Sequence, residues 1–396
     1  MDIIVAKFGG TSVGNGERIK KAAESVAKEY FKGNQMVVVV SAVNKTTDDL
    51  INLTNDAIEN NLTSKQHAEI VAMGERTSVR LFSATLESLG VKSIFIDPYS
   101  DLWPIITDSN YMEAKIDMKE TTERIQNLKE ILDQGIVPVV CGFLGKSGNQ
   151  VTTLGRGGSD ITAFLIGECL NAKEVIIVTD VDGVLSTDPR KINEAKLLES
   201  ITVGEMLALA THGAQVLHPN ALDYKNPNIA AKIINFEHGD LTSEGTYITG
   251  PKEIKPIDMF ENPVTSITVV GKGLLKEIGI ISALTNILLD NDMNLFKLNP
   301  HHNSITIFID KKDSPKAYPL YHDYVINHDD LSSISQSHDL AMISLTGPEL
   351  DELKISRTLT KNNIEAELIN VTKTEILLFV NWDDGDKACK LIEKIN

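Results

Sequence analysis

Two glycine-rich segments contain the residues with the clearest chemical potential. In the first, an apolar run containing Lys7 leads directly into Gly9 and Gly10. Glycines leave backbone N–H groups accessible to an anion because no Cβ intervenes, and a neighbouring lysine adds a mobile positive charge. In the second segment, 152–160, three glycines surround Arg156. We therefore expect two anion-binding segments that meet in space, the first of them suited to phosphate.

The segment around Arg156 is suited to a carboxylate ligand. A guanidinium group binds a carboxylate through two parallel hydrogen bonds, and flanking glycines let the backbone wrap around a small molecule. The run 161–166 that follows is helix-like, so Ser159 or Asp160 is expected to cap its first turn. For Asp160 two interpretations stay open, a helix cap alone or a member of the site.

Length and composition favour a multidomain protein of the cytosol. The chain has 396 residues, more than one ordinary core holds, and no run approaches the roughly 18 apolar residues of a membrane helix. The sequence does not begin with the basic segment and apolar run of a signal peptide. We therefore expect a cytoplasmic location and no membrane partner.

Cysteine usage and charge exclude further classes of protein. Cys141, Cys169 and Cys389 are widely spaced and odd in number, which predicts reduced structural thiols rather than a disulfide framework or a metal pair. A formal charge of −17 argues against a nucleic-acid surface. Local rather than global positive potential must therefore hold an anionic ligand.

Up to about residue 250, short apolar runs alternate with longer amphipathic stretches, a pattern typical of an α/β domain. Most of the apolar runs are uninterrupted, as expected for strands buried on both faces of a parallel sheet. The predicted strands are 3–8, 36–41, 93–96, 136–141, 175–179 and 231–235, and the clearest helices are 17–31 and 121–134, the latter stopped by Gly135. Three prolines within 251–263 predict a linker, because strand and helix interiors exclude proline.

Beyond the linker, the sequence contains a weak internal repeat. The runs 266–271 and 341–347 are similar, and each is followed by an amphipathic stretch and a return to strand-like sequence. This pattern predicts a small βαββ unit twice, over about 264–335 and 336–396. Exposed edge strands need partners, so we also expect a homodimer or a higher homo-oligomer.

Some polar residues have structural explanations that compete with functional ones. Glu75 lies in the amphipathic stretch 68–82, and periodicity alone predicts that its side chain is exposed. His212 and His218 are six residues apart, which is not the spacing of helical metal ligands. A solvated or capping role is expected for these histidines.

Five motifs, in order along the chain, resemble those of the aspartate kinase family. They are Lys7-Phe8-Gly9-Gly10-Thr11-Ser12-Val13, Gly74-Glu75, the segment 152–160, Thr179-Asp180-Val181-Asp182-Gly183-Val184 with Thr187-Asp188-Pro189-Arg190, and Val216-Leu217-His218-Pro219. The repeat resembles the paired ACT regulatory domains of that family, so the resemblance covers nearly the whole chain. It implies an amino-acid-kinase domain over 1–250, with an open, mostly parallel sheet sandwiched by helices, a linker over 251–263 and two ACT-like βαβ-type units over 264–396.

The resemblance also implies an activity. Members of the family phosphorylate the side-chain carboxylate of L-aspartate to 4-phospho-L-aspartate, with ATP and Mg²⁺, in the first step of lysine, threonine and methionine biosynthesis. The Mg²⁺ is expected on the ATP phosphates, with no metal site of the protein's own. An amino-acid effector is implied at the ACT-like units.

Each implied role falls on a matching position of this sequence. The catalytic residues would be Lys7, which would contact the transferring phosphoryl group, and Asp160, which would orient Lys7. ATP would contact Lys7, Phe8, Gly9, Gly10, Thr179, Asp180, Leu185, Arg190 and Gln215. Aspartate would be held by Ser41, Thr47, Glu75, Arg156, Gly157, Gly158 and Ser159. In this assignment Glu75 pairs with the α-amino group, against its periodicity.

The residue inventory agrees with this chemistry. A carboxylate acceptor with a pKa of about 4 is already ionised at neutral pH, so phosphoryl transfer to it needs no general base. Positioning and charge neutralisation suffice.

The sequence departs from the family pattern at three places. Leu185 stands where an aromatic residue is usual, and Gln215 where many members have a lysine. The segment Asn299-Pro300-His301-His302 replaces a usual Ser-Thr-Ser-like run, which makes feedback by lysine or threonine an open question. Two alternatives therefore stand beside aspartate kinase: a related kinase with another acceptor, such as glutamate, acetylglutamate or a nucleoside monophosphate, and a non-catalytic binding protein.

Overall fold

A computed structural model of the chain describes residues 1–58, 62–192, 194–211, 216–250, 257–274, 276, 279–346, 350–372 and 375–395. The chain divides into two compact units, Met1–Glu253 and Ile254–Asn396. In the part of the chain so described, no helix is long and apolar enough to cross a membrane. All three cysteines lie in this part and are free thiols.

The first unit is built around a large sheet covered by helices. Its strands are β1 (Ile3–Phe8), β2 (Gln35–Val40), β3 (Ser93–Ile96), β4 (Val137–Cys141), β5 (Leu144–Ser147), β6 (Gln150–Thr153), β7 (Glu174–Thr179), β8 (Ser200–Thr202), β9 (Ala230–Asn235) and β10 (Thr246–Thr249). Its helices are α1 (Gly16–Phe31), α2 (Thr46–Ala57), α3 (Ser64–Val71), α4 (Met73–Ser88), α5 (Met118–Asp133), α6 (Gly158–Leu170) and α7 (Val203–Thr211). Two 3₁₀ turns, Pro219–Tyr224 and Phe236–His238, complete the set.

Eight strands form the main sheet in the order β3-β4-β2-β1-β7-β9-β10-β8. All pairings are parallel except that of β9 with β10. Strand β1 lies between β2 and β7, and its Lys7 stands opposite Val39 and Ile177. Because ligands bind where strand order reverses, at the carboxyl ends of the strands, this register places Lys7 beside the expected crevice.

The predicted helices lie where the sequence places them, but their starts are set by caps. Helix α1 begins at Gly16 because the Asn15 side chain accepts from the N–H of Arg18, and α5 begins at Met118 because Asp117 accepts from the N–H of Glu120. Gly135, with φ of 70°, follows the end of α5 as predicted.

The second unit contains a repeated α/β pattern. Its strands are β11 (Ile257–Met259), β12 (Val264–Gly271), β13 (Leu295–Pro300), β14 (Ser304–Asp310), β15 (Leu331–Gln336), β16 (Leu340–Thr346), β17 (Ala366–Val371) and β18 (Glu375–Asn381). Its helices are α8 (Ile280–Leu289), α9 (Ser314–Ile326), α10 (Glu352–Lys361) and α11 (Gly385–Glu393), with 3₁₀ turns at Lys311–Asp313 and Trp382–Asp384. The predicted fold class, a mostly parallel sheet between helices followed by repeated smaller units, is confirmed.

The two copies of the repeat are interleaved in sequence. Strand β12 pairs with β14 and β15, and its counterpart β16 pairs with β18 and β11. The strand that completes the second copy therefore precedes the first copy along the chain. The expectation of a strand-free linker over 251–263 is wrong at Ile257–Met259, because the three prolines flank this strand and do not interrupt it.

Candidate active site

A pocket of about 360 Å³ lies beyond the carboxyl ends of β1, β2 and β4. Most of the predicted site residues line it, although they come from widely separated parts of the sequence. The lining residues are Lys7, Gly10, Ser41, Ala42, Asn44, Thr47, Glu75, Phe143, Gly155, Arg156, Gly157, Gly158, Ser159 and Asp160. The two glycine-rich segments thus meet at one pocket, as the sequence predicts.

Lys7 and Asp160 form a buried ion pair at one side of the pocket. The Nζ atom of Lys7 lies 2.6 Å from Oδ1 of Asp160, and Lys7 is only 8% exposed. The carboxylate holds the ammonium group in place at the end of a strand that is otherwise apolar. The pair keeps a positive charge ready for an anionic ligand while limiting the cost of burying it.

Helix α6 begins at the pocket and brings its amino end to it. Gly157, with φ of 76°, is the N-cap residue and makes no side-chain cap. The expectation that Ser159 or Asp160 caps α6 is therefore wrong, because the left-handed glycine already occupies that position. Ser159 instead accepts a hydrogen bond from Ser41 Oγ at 3.0 Å, which joins the ends of β2 and α6.

Glu75 is buried, so the exposure that periodicity predicts is wrong. Its side chain lies in the first turn of α4 and is 3% exposed. Oε1 accepts from the N–H of Ala42 at 3.1 Å, and Oε2 has no hydrogen-bond partner within the described part of the chain. Desolvation raises the pKa of Glu75 to about 7. An unsatisfied carboxylate oxygen at a pocket wall is suited to a cationic ligand group.

Arg156 and His218 flank the glycines of the second segment. Arg156 is exposed, and the His218 side chain packs against Gly157 and accepts from the N–H of Asn220, capping the 3₁₀ turn Pro219–Tyr224. The predicted capping role of His218 is confirmed. Burial, together with the charge of Arg156, lowers the pKa of His218, which keeps the ring neutral beside the arginine.

We expect Gly157→Ala to damage this corner of the pocket. The residue has φ of 76°, and a Cβ there would lie 2.5 Å from the Cβ of His218. Left-handed strain and the clash together should lower the free energy of unfolding by about 1–3 kcal/mol. Thermal unfolding measures this loss, with Gly148→Ala as control, since Gly148 also has a positive φ but a Cβ there would meet nothing within 4 Å. Equal losses in both variants would show that strain alone, without the His218 contact, explains the effect.

Comparison with known proteins agrees with this geometry. Residues 2–235 match the family described as the amino acid kinase family. The aspartokinase of Geobacillus stearothermophilus is 33% identical over 389 residues, which cover 95% of this chain and 92% of the relative. The chain belongs to the aspartokinases. The family resemblance predicted from its motifs is thereby confirmed.

Solved structures of aspartokinases share the fold. The aspartate kinase of Synechocystis is 26% identical, with a TM-score of 0.83 over 99% of this chain and 69% of its own. Escherichia coli aspartokinase III, in complex with aspartate and ADP, is 23% identical with a TM-score of 0.57, over 99% of each chain. The likeness to Escherichia coli aspartokinase III supports the fold of this aspartokinase.

Fewer of the predicted ATP residues than of the predicted aspartate residues line this pocket. Thr179 and Asp180 end β7 beside the glycine loop, but the N–H of Gly9 donates to Val178 O at 3.0 Å and is already engaged. The Phe8 ring is buried against Phe82, so its side chain is not available to a ligand.

Two other predicted ATP residues, Leu185 and Arg190, do not line the pocket described above. Leu185 is half-buried and forms a β-bridge with Leu197. Arg190 is exposed and pairs with Asp188 two residues away, at 3.0 Å. Gln215, like His212, lies outside the described residues.

Asn44 and Phe143 are among the pocket residues of this aspartokinase that the sequence did not predict. Asn44 follows β2 with φ of 52°, and its N–H donates to Gly10 O at 3.0 Å. Phe143 follows β4 with φ of 68° and packs against Gly158. Positive φ at a non-glycine residue marks functional sites, but the sequence alone does not show it, except that asparagine tolerates this conformation.

Proposed function

We propose that this aspartokinase transfers the γ-phosphoryl group of ATP to the side-chain carboxylate of L-aspartate, giving 4-phospho-L-aspartate and ADP. This is the first step of the aspartate pathway, and the family membership confirms the activity predicted from the motifs. One observation carries the assignment: a single pocket combines a buried lysine, an unsatisfied buried carboxylate and an exposed arginine. Aspartate carries the complementary charges.

Each charged group has a distinct task in this proposal. Glu75 binds the α-ammonium group of aspartate, and Arg156 binds one of its carboxylates. The hydroxyl groups of Ser41, Thr47 and Ser159 orient the other carboxylate for attack. The acceptor oxygen is thus held as an ion, and no residue has to remove a proton from it.

Lys7 and the amino end of α6 act on the transferring group. Negative charge spreads over the phosphoryl oxygens during transfer, so fixed positive groups lower the barrier. Asp160 holds Lys7 in place, and the amino end of α6, at Gly157 and Gly158, adds partial positive charge from the helix dipole.

We propose that the nucleotide lies along Gly10, Thr179, Asp180, Leu185 and Arg190, with Mg²⁺ on its phosphates. Within the described residues, no three acidic, histidine or cysteine side chains converge on a point, so this part of the protein offers no cage for an ion. Bound to the β- and γ-phosphates, Mg²⁺ would neutralise part of their charge.

For the second unit we propose a regulatory role. Its two interleaved copies have the strand and helix order of paired ACT-like domains. Their sheet ends at strands β13 and β17, which leaves edges for pairing with a second chain. An amino-acid effector and a homodimer or higher homo-oligomer are the corresponding partners.

Aspartate-dependent ADP release tests the proposed activity. We expect turnover with L-aspartate and Mg-ATP, together with an acyl phosphate that hydroxylamine traps. Glutamate, N-acetylglutamate and a nucleoside monophosphate serve as competing acceptors. Turnover with one of them alone would reassign the substrate. Binding of ATP and aspartate by the folded protein without ADP release would favour a non-catalytic binding protein.

A further inference from the structure

Asp97 anchors two arginines of the helix that carries Glu75. It directly follows β3, and its side chain is 4% exposed. Its Oδ2 accepts from Arg76 Nε at 3.1 Å and from Arg80 Nη2 at 2.7 Å, while Oδ1 accepts from the N–H of Tyr99 at 3.1 Å. Although burial opposes ionisation, these three donors hold the pKa of Asp97 below its ordinary value.

Both arginines are further fixed by aromatic rings. The guanidinium of Arg76 lies 4.7 Å from the ring centre of Tyr99, and that of Arg80 lies 4.4 Å from the ring centre of Phe95. The Tyr99 hydroxyl donates to the Glu69 carboxylate of α3 at 2.8 Å. The start of α4 is therefore held from β3, from the segment after it and from α3.

This anchor controls the direction in which Glu75 points. Arg76 is the next residue along α4, about 100° further round the helix, so pinning Arg76 sets the rotation of the helix about its axis. A rotation of about 10° would move the Glu75 carboxylate by roughly 1 Å, given its distance from the axis. On the pocket side, Gly74 packs so closely on Ala42 that a Cβ would lie 2.7 Å from the Ala42 Cβ.

We propose that Asp97 is a positioning residue for the amino-acid substrate. Through Arg76 and Arg80 it fixes α4 so that the Glu75 carboxylate faces the substrate ammonium group. It lines no part of the pocket and acts only through the helix. This inference rests on the proposed function, because the substrate it positions is aspartate.

The test compares Asp97→Asn with a matched buried carboxylate that does not line the pocket and accepts hydrogen bonds from neither Arg76 nor Arg80. Glu29 of the same unit is 4% exposed and accepts from Lys32 Nζ at 2.6 Å and Asn34 Nδ2 at 2.9 Å, so Glu29→Gln is the control. We expect Asp97→Asn to raise the KM for aspartate about tenfold or more, since misplacement by 1 Å is costly, and to leave the KM for ATP within about twofold. Asp97→Glu, which keeps the charge, should recover part of the loss.

Three outcomes would overturn the proposal. An unchanged KM for aspartate in folded Asp97→Asn would reduce Asp97 to a stabilising residue. An equal rise of the KM for aspartate in Glu29→Gln would point to general loosening of the unit. A parallel rise of the KM for aspartate and the KM for ATP in Asp97→Asn would also point to general loosening of the unit. If Asp97→Asn does not fold, Arg76→Lys, which keeps the charge but loses the Nε contact, takes its place with the same expected rise. Wild-type enzyme without aspartate-dependent turnover would instead refute the proposed function.

Discussion

Lys7→Met is expected to lower kcat by about 10²–10³-fold, the loss typical of removing one preorganised group that stabilises transition-state charge. The ammonium of Lys7 is the buried cation of the pocket wall that we place on the transferring phosphoryl group, and its position is fixed by Asp160 at 2.6 Å. Methionine keeps the unbranched shape of the side chain within β1, so the strand and its register should persist. The KM for aspartate should change less than kcat, because Glu75 and Arg156 still bind it.

The controls for Lys7 separate charge in the pocket from charge elsewhere. Lys173→Met removes an exposed lysine that pairs with Asp2 at 2.6 Å, and it should leave kcat within about twofold. Lys7→Met leaves the buried Asp160 carboxylate without its counter-ion. The double variant Lys7→Met/Asp160→Asn should therefore be more stable than the single variant and equally inactive. A Lys7→Met enzyme with near-normal kcat and intact thermal unfolding would contradict the role of Lys7.

Sequence patterns located β1, β2, β3, β4, β7 and β9 to within one residue at either end, but they did not predict β5, β6, β8 or β10. The continuous apolar runs at Ile3–Phe8 and Ser93–Ile96 match their strands at both ends. Such runs are decisive because a parallel sheet between helices buries both faces of each strand. Lys7 stands out against this background, since a charge within a buried strand needs a partner or a ligand, and its partner is Asp160.

Residues whose role depends on distant neighbours were not predictable from local patterns. Periodicity placed Glu75 on an exposed face. The pattern identifies the helix, but it does not show that Ala42 and the pocket lie on that side of the helix. The same limit applies to β11, which pairs with β16 across 80 residues of intervening sequence. Only the family motif, which records a tertiary role, indicated the site function of Glu75.

Lys7 and Glu75, both buried in the pocket wall, differ in how their charges are satisfied. Lys7 has its counter-ion, whereas Glu75 accepts from the N–H of Ala42 and keeps Oε2 without a partner in the described part of the chain. The charge of Lys7 is therefore already balanced by Asp160, whereas the charge of Glu75 is balanced only when a cationic group binds. In the proposed site, binding of the substrate ammonium would offset the desolvation of the Glu75 carboxylate and so link aspartate binding to the protonation state of this residue.

The kcat/KM for aspartate is accordingly expected to rise with pH through an inflection near 7. Below that pH the Glu75 carboxyl, whose pKa burial raises to about 7, is protonated and cannot neutralise the ammonium group. Glu75→Gln should abolish this inflection and raise the KM for aspartate about 100-fold, in line with removal of one partner from a buried charge pair. The KM for ATP is the internal control, and it should follow neither the pH change nor the substitution.

Thermal stability without substrate should change in the opposite direction. The pKa of Glu75 is higher in the folded state, about 7, than its ordinary 4.5, so between these values the folded protein binds more protons than the unfolded chain. The contribution of Glu75 to the free energy of unfolding is thus complete below pH 4.5 and is lost as the pH rises through 7, by about 3 kcal/mol in total. Glu75→Gln should therefore be more stable than wild type at pH 8 and close to it at pH 5, while aspartate should stabilise only the wild type. Equal stability of the two proteins at both pH values would show that Glu75 is not desolvated in the free enzyme, and the proposed pH dependence of aspartate binding would lose its cause.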